Sequence, residues 1–156
     1  MSVAQLLWAS VDRPLPLPDS HLVHLSRQEV HPFLENVASD LCGAGYRKRD
    51  IFGIRLALEE AIGNAIKHGH AGDPDQPVQV VYYINRQRIL ARVQDQGPGF
   101  DPAQVADPRE GENLDRPAGR GLLLMRSYMD RVEFSPRGNC VTLMKFRSSL
   151  SPQRND

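Results

Sequence analysis

The sequence is short of cysteine, of net charge and of long apolar runs, and each shortage excludes something. Cys42 and Cys140 are the two cysteines of 156 residues, far apart and without partners at metal-ligand spacing. That excludes a disulfide framework and a cysteine-built metal site, and leaves two buried or idle thiols. Nineteen basic and nineteen acidic side chains cancel to a formal charge of zero, so no global positive field can hold nucleic acid or an anionic membrane. Any anion must be held locally. No apolar stretch approaches the roughly twenty residues of a membrane span. The N-terminus, MSVAQLLWASVDRPLPLPDS, carries no basic segment ahead of an apolar run, and the chain therefore reads as cytoplasmic, with no membrane and no direct nucleic-acid contact.

What is present reads as one domain with short flanks. Hydrophobic residues make up 40% and charged residues 24%, the balance of a soluble protein with a sizeable core. Residues 1–19 form an extension or linker, because the alternating prolines of VDRPLPLP favour an extended segment that cannot join a central ladder. The domain spans 20–147, and 148–156 form a tail. HLVHL suits a short strand, and SRQE at 26–29 has the form of a capping box opening a helix to about Leu41. Pro32 complicates that start, so the regular part is expected only from His31. CGAGY breaks the helix; Asp50 is expected to cap the next, on which Ile51, Ile54, Leu58, Ile62, Ala65 and Ile66 recur at helical spacing up to Gly69.

Strands dominate the second half. VQVVYYI and ILARVQD are rich in β-branched and aromatic residues, and NRQR between them suits a hairpin. From Gln96 to Gly121 glycine, proline and charge take over, a long connection for a compact domain. LLLMRSYMD restores a helix, and RVEFS, PRGN and CVTLMKF make a closing hairpin. The order predicts an α+β, two-layer sandwich: a mixed, mostly antiparallel sheet with helices on one face.

Three stretches carry chemistry. Glu60 and Asn64, four apart, lie one turn above the other on one helix face. Paired with Lys67 or Arg55, Glu60 is merely structural, and Asn64 is then simply solvated. Alternatively, the Asn64 amide supplies one oxygen to a hard cation such as magnesium, which binds few protein groups plus substrate phosphates, and the carboxylate activates a hydroxyl or water. In DQGPGF, Asp95 ends a strand and can accept from an exocyclic amine, while Gly97 and Gly99 let the backbone turn tightly beside a ligand. In GRGLLLM, Gly119, Arg120 and Gly121 open a helix, whose free amides and adjacent guanidinium suit phosphate.

EEAIGNAIKHG, DQGPGFDP and AGRGLLLMRSYMD resemble the N, G1 and G2 boxes of the GHKL, or histidine-kinase-like, ATPase superfamily with its Bergerat fold. Within it the chain is similar to the anti-sigma factor serine/threonine kinases, from about Ser20 to Phe146. The resemblance implies ATP and Mg2+ as ligands, with Glu60 as general base and Asn64 as magnesium ligand. Lys67, His68 and Gly69 fall where the N box meets the nucleotide. Asp95 would read the adenine amine, with Gly97 and Gly99 beneath the base and Phe100 following in the same box. Gly119, Arg120, Gly121 and Leu122 would bind phosphate, Thr142 would join the adenine contact, and residues 101–118 would form the mobile ATP lid. Members often carry threonine before the N-box asparagine, where Gly63 stands here, so any hydroxyl contact at that point is lost.

The function so implied is an anti-sigma factor that phosphorylates a serine or threonine of an anti-anti-sigma partner of the STAS fold, regulating transcription by partner switching. A sigma factor would be a further partner, and the resemblance also implies a homodimer. Two alternatives are a nucleotide-gated module that sequesters a regulator without kinase activity and an isolated histidine-kinase-type catalytic domain. About thirty residues separate His31 from Asn64, too few for the helical hairpin that would present a phosphoacceptor histidine. A gyrase- or chaperone-type machine would need transducer domains that this chain lacks.

Overall fold

The computed structural model describes residues 19–69, 76–97 and 120–148. Five strands, β1 (His21–Leu25), β2 (Val78–Ile84), β3 (Arg88–Gln94), β4 (Arg131–Phe134) and β5 (Cys140–Phe146), form one sheet in the order β1-β2-β3-β5-β4. Three helices, α1 (Val30–Gly43), α2 (Lys48–Gly69) and α3 (Arg120–Tyr128), join them. The α+β sandwich is as expected, and every pairing among the described strands is antiparallel rather than mixed.

Strand alternation sorts the sheet into two faces. Val78, Val80, Ile89, Ala91, Val93, Val141 and Leu143 join the core built with the helices, while Val81 and Leu90 pack with Tyr83 and Met144 in a separate cluster on the opposite face. From α2 the main core takes Ile54, Ala57, Leu58, Ala61, Ile62, Ala65 and Ile66, the 3.6-residue stripe that the sequence displays. Each fully buried isoleucine or leucine contributes about 1.5–3 kcal/mol relative to exposure.

Local chemistry sets the boundaries. A 3-10 turn, Arg27–Glu29, precedes α1, and the Glu29 carboxylate accepts from the Ser26 backbone N–H at 2.8 Å and hydroxyl at 3.0 Å. Those bonds, backbone first, hold the Glu29 carboxyl below its usual pKa. Pro32 is the third residue of α1, inside the first turn, where an amide has no intrahelical partner and proline does no damage. At the other end, Gly45 takes φ 86°, Tyr46 N–H donates to Leu41 O at 3.0 Å and Gly45 N–H to Cys42 O at 3.1 Å. This is a Schellman ending, and its left-handed residue favours glycine. In the β2–β3 turn, the Asn85 side chain accepts from the Gln87 and Arg88 amides, each at 2.8 Å.

Asp50 requires a correction. It is not the cap of α2, which starts two residues earlier at Lys48. It lies buried in the first turn and accepts from Ser148 N–H at 2.9 Å and from the Ser148 hydroxyl at 2.8 Å. A residue assigned to the tail thus fastens the segment just after β5 to the first turn of α2.

Asp50→Ala should cost about 1.5–3 kcal/mol, the worth of hydrogen bonds to a charged group, read as a lower urea midpoint at unchanged slope. Cys42 is exposed and Cys140 buried. Burial, with Asp95 adding and Arg92 opposing, raises the Cys140 thiol to about 11, so at pH 8 it stays protonated. A thiol reagent should therefore label one cysteine in the native protein and two only after unfolding, counted by mass spectrometry.

Candidate functional site

Helix α2 carries a polar pair within its apolar stripe. Glu60 and Asn64 are half-buried, whereas Glu59 is exposed, as the rotation of about a hundred degrees between successive helical residues requires. Arg55 is not the partner of Glu60: its guanidinium pairs with Glu35 of α1 at 2.5 Å. Neither the Glu60 nor the Asn64 side chain has a hydrogen-bond or ion-pair partner among the described residues.

Both face the start of α3. A Cβ placed on Gly121 would stand 2.7 Å from Glu60 Oε2 and 3.3 Å from Asn64 Nδ2, so the missing side chain is what lets the α3 backbone meet the carboxylate and the amide together. Arg120 opens α3 and is exposed; Leu122 is half-buried against the main core.

The sheet side of the site begins at Asp95, just past β3. Its N–H donates to Asn139 O at 3.0 Å, and its carboxylate accepts from Gly97 N–H at 2.8 Å. That Asx-type turn fixes the carboxylate as the chain leaves the strand. A cleft of about 20 Å³, room for roughly one water, separates α2 from the sheet here; Ala61, Asn64, Asp95, Met125, Asn139 and Val141 are among its lining. Asp95 and Asn64, on different elements, therefore share one cleft.

The remaining expected residues divide. Lys67 is exposed on α2, and His68 and Gly69 close the helix backbone. Gly99, Phe100, Gly119 and residues 101–118 lie outside the described residues. Thr142 is not brought to this cleft. It pairs with Arg92 of β3 and Glu133 of β4 and has the opposite strand parity to Val141 and Leu143, so its side chain lies on the face away from the helices. Asn139, Cys140 and Val141 line the cleft instead. Sequence reasoning passed over them because nothing local marks where β5 meets Asp95, and an apolar alternation does not say which of its two faces is inward.

The donor set suits a hard cation that keeps most of its waters: two half-buried oxygen-bearing groups, one charged and one neutral, converge without side-chain partners among the described residues. No cluster of three or more His, Cys, Asp or Glu side chains that could hold a metal occurs among the described residues, so a metal here would depend on ligands from its substrate. A second cleft, about 350 Å³, lies at the other end of α2 and α3 beside Gly53, Tyr128 and Lys145. Its Arg47 and Arg49 are exposed, and no expected site residue lines it.

Comparison with known proteins bears on the family and the fold. The histidine kinase-like ATPase domain profile matches residues 26–145. The chain is 32% identical over 119 residues to the serine-protein kinase RsbW of Listeria innocua, covering 72% of this chain and 76% of that one. It is 31% identical over 123 residues to RsbW of Bacillus licheniformis, covering 72% and 73%. The serine/threonine-protein kinase BtrW of Bordetella bronchiseptica is 27% identical over 88 residues, covering 55% and 62%. A crystal structure of RsbU and RsbW domains from Mycobacterium tuberculosis superposes with a TM-score of 0.56 at 18% identity, covering 85% of this chain and 32% of that one. That likeness is one of fold. No described helix is long and apolar enough to cross a membrane.

Ala61 is 2% exposed at the cleft wall. Ala61→Leu should overfill the space at a cost of about 1–3 kcal/mol, and abolish any ligand binding between α2 and Asp95, both measurable by denaturant titration and calorimetry on one sample.

Proposed function

Because the chain belongs to the histidine kinase-like ATPase domain family, and within it to the RsbW-type anti-sigma kinases, we propose that it binds ATP and transfers the terminal phosphoryl group to a serine or threonine of a STAS-domain anti-anti-sigma protein. One observation carries the reading: Glu60 and Asn64, whose side chains have no partner among the described residues, converge on Gly121, at a cleft that Asp95 shares. The RsbW and BtrW relatives are named as serine or serine/threonine protein kinases, and this supports a protein hydroxyl over water as acceptor.

The chain's own groups then have distinct tasks. The Asp95 carboxylate accepts a hydrogen bond from the exocyclic amine of adenine, and its bond to Gly97 N–H keeps it aimed. The first turn of α3, with Arg120, Gly121 and Leu122, presents backbone amides and a guanidinium to phosphate oxygens. Asn64 would hold Mg2+, which when bound neutralises charge on the phosphates. Glu60 accepts the proton of the attacking hydroxyl, placed by the same helix turn that places Asn64. Lys67, His68 and Gly69 follow at the phosphate end, and Gly99, Phe100 and Gly119 complete the boxes. Thr142, on the opposite face, has no part in this reading.

The circuit follows from that activity. The unphosphorylated STAS protein and a sigma factor would be alternative partners of a cytoplasmic homodimer, and phosphorylation would release the first in favour of the second.

Glu60→Ala should bind ATP with unchanged affinity and lose transfer by 10²–10⁴-fold, the usual contribution of a general base. Purified protein, magnesium, γ-labelled ATP and a recombinant STAS-domain protein provide the assay, and normal turnover would dismiss Glu60 as base. Asp95→Asn should weaken ATP binding by about 1.5–3 kcal/mol, the worth of a hydrogen bond to a charged group. Unchanged affinity in calorimetry would sink the adenine assignment, while ATP binding without a labelled serine or threonine would indicate a nucleotide-gated binder.

A further inference from the structure

Two glycines, not one, set the approach of α3 to α2. A Cβ on Gly53 would stand 2.6 Å from Tyr128 Cδ1 and 3.1 Å from both Tyr128 Cβ and Cγ; one on Gly121 would meet Glu60 Oε2 at 2.7 Å. The two contacts pair residue 53 with 128 and residue 60 with 121. On each helix the contact positions are thus seven apart and run in opposite senses, so α2 and α3 pack antiparallel and touch closely once every two turns, roughly 10 Å apart along the axis. Since α3 has nine residues, these contacts fall near its two ends. Met125, 1% exposed, sits between them as the point buried in the core.

The Tyr128 end cannot simply retreat. Its ring is held edge-on by Phe52 at 6.0 Å between centroids. Two residues on, Asp130 N–H donates to Met144 O at 2.9 Å, and the Asp130 carboxylate accepts from Phe146 N–H at 2.7 Å, tying that end of α3 to β5. A side chain at 53 therefore pushes on the end of α3 that β5 keeps from moving away as a whole, and the displacement left to the helix is a tilt about the buried Met125 that carries Gly121 with it. The two obstacles also differ in kind. At Gly121 the near atom is the end of a flexible glutamate, whereas at Gly53 one near atom is the Tyr128 Cβ, which moves only with its backbone.

We propose that Gly53, packed beneath Tyr128 two helical turns from the site, is a positioning residue that holds the Gly121 backbone against Glu60 and Asn64, and so sets phosphate binding and transfer. This rests on the reading of that site as a kinase centre. Alanine normally favours a helix interior over glycine, so a loss of function without loss of helix would be the mark of the wedge.

The test is a double-mutant cycle on the full chain, with wild type, Gly53→Ala, Tyr128→Ala and the double variant, each checked for folding by circular dichroism. Gly53→Ala should lower kcat at least tenfold and weaken ADP binding several-fold, with KM for the STAS protein unchanged. In the Tyr128→Ala background the same change should have less than a threefold effect, because the ring contacts, including the one at 2.6 Å, are gone and the Cβ contact that remains, at 3.1 Å, asks for a shift of only a few tenths of an ångström. Proton–nitrogen NMR supplies a readout independent of activity: the Gly121 amide and Asn64 side-chain amide signals should shift in Gly53→Ala and return toward the Tyr128→Ala positions in the double variant. Unmoved Gly121 and Asn64 signals, or equal effects in both backgrounds, would overturn the proposal. Wild-type protein that neither binds ADP nor transfers phosphate would defeat the kinase reading instead, while the NMR cycle would still decide whether Gly53 positions Gly121.

Discussion

The approach of the α3 backbone to the Glu60 carboxylate through Gly121 is the contact on which the site depends. Any larger residue at 121 has to displace the carboxylate, because a Cβ would sit well inside van der Waals distance. The start of α3, the acid and the amide of α2 are thereby brought to one place. None of the three has chemistry of much consequence alone; a helix start, a glutamate and an asparagine are common surface furniture. Proximity gives them a joint task.

Helix α2 has to serve two purposes along one length. Ile54, Leu58 and Ile62 are buried almost completely and fix its depth and rotation against the sheet, while Glu60 and Asn64 project to the side where α3 arrives. The apolar stripe thus orients the polar pair without touching a ligand. The reverse burden is small, since half-burial lets both polar groups keep contact with water and spares the full desolvation cost of a charge in the core.

Much of this was legible in the residues, and the exceptions are instructive. Helices and strands announced themselves through period, and the Gly45 ending through a residue type that only one backbone conformation demands. Pro32 looked like an obstacle because sequence shows a proline in a helical run but not its rank from the helix start. Asp50 was misread for a related reason: an acid near a helix start is either a cap or a first-turn residue, and its true partner, Ser148, lies 98 positions away. Thr142 has the right composition and neighbourhood but the wrong parity, which depends on register with β3. The pairing of Gly121 with Glu60, and of Gly53 with Tyr128, is likewise long-range geometry that no window of sequence contains.

Strands β3 and β5 are neighbours in the sheet, yet the chain between them makes an excursion through the G1 turn, α3 and β4 before returning. The excursion leaves at Asp95 and comes back beside it at Asn139, where the two backbones are hydrogen-bonded. Its root is therefore closed by the ladder itself, whatever happens further out. Loop-closure entropy rises only with the logarithm of length, about 0.6 kcal/mol for each doubling. The β3–β5 registry is therefore set locally, by the ladder and the Asp95–Asn139 bond, and does not depend on the length of the chain between the two strands.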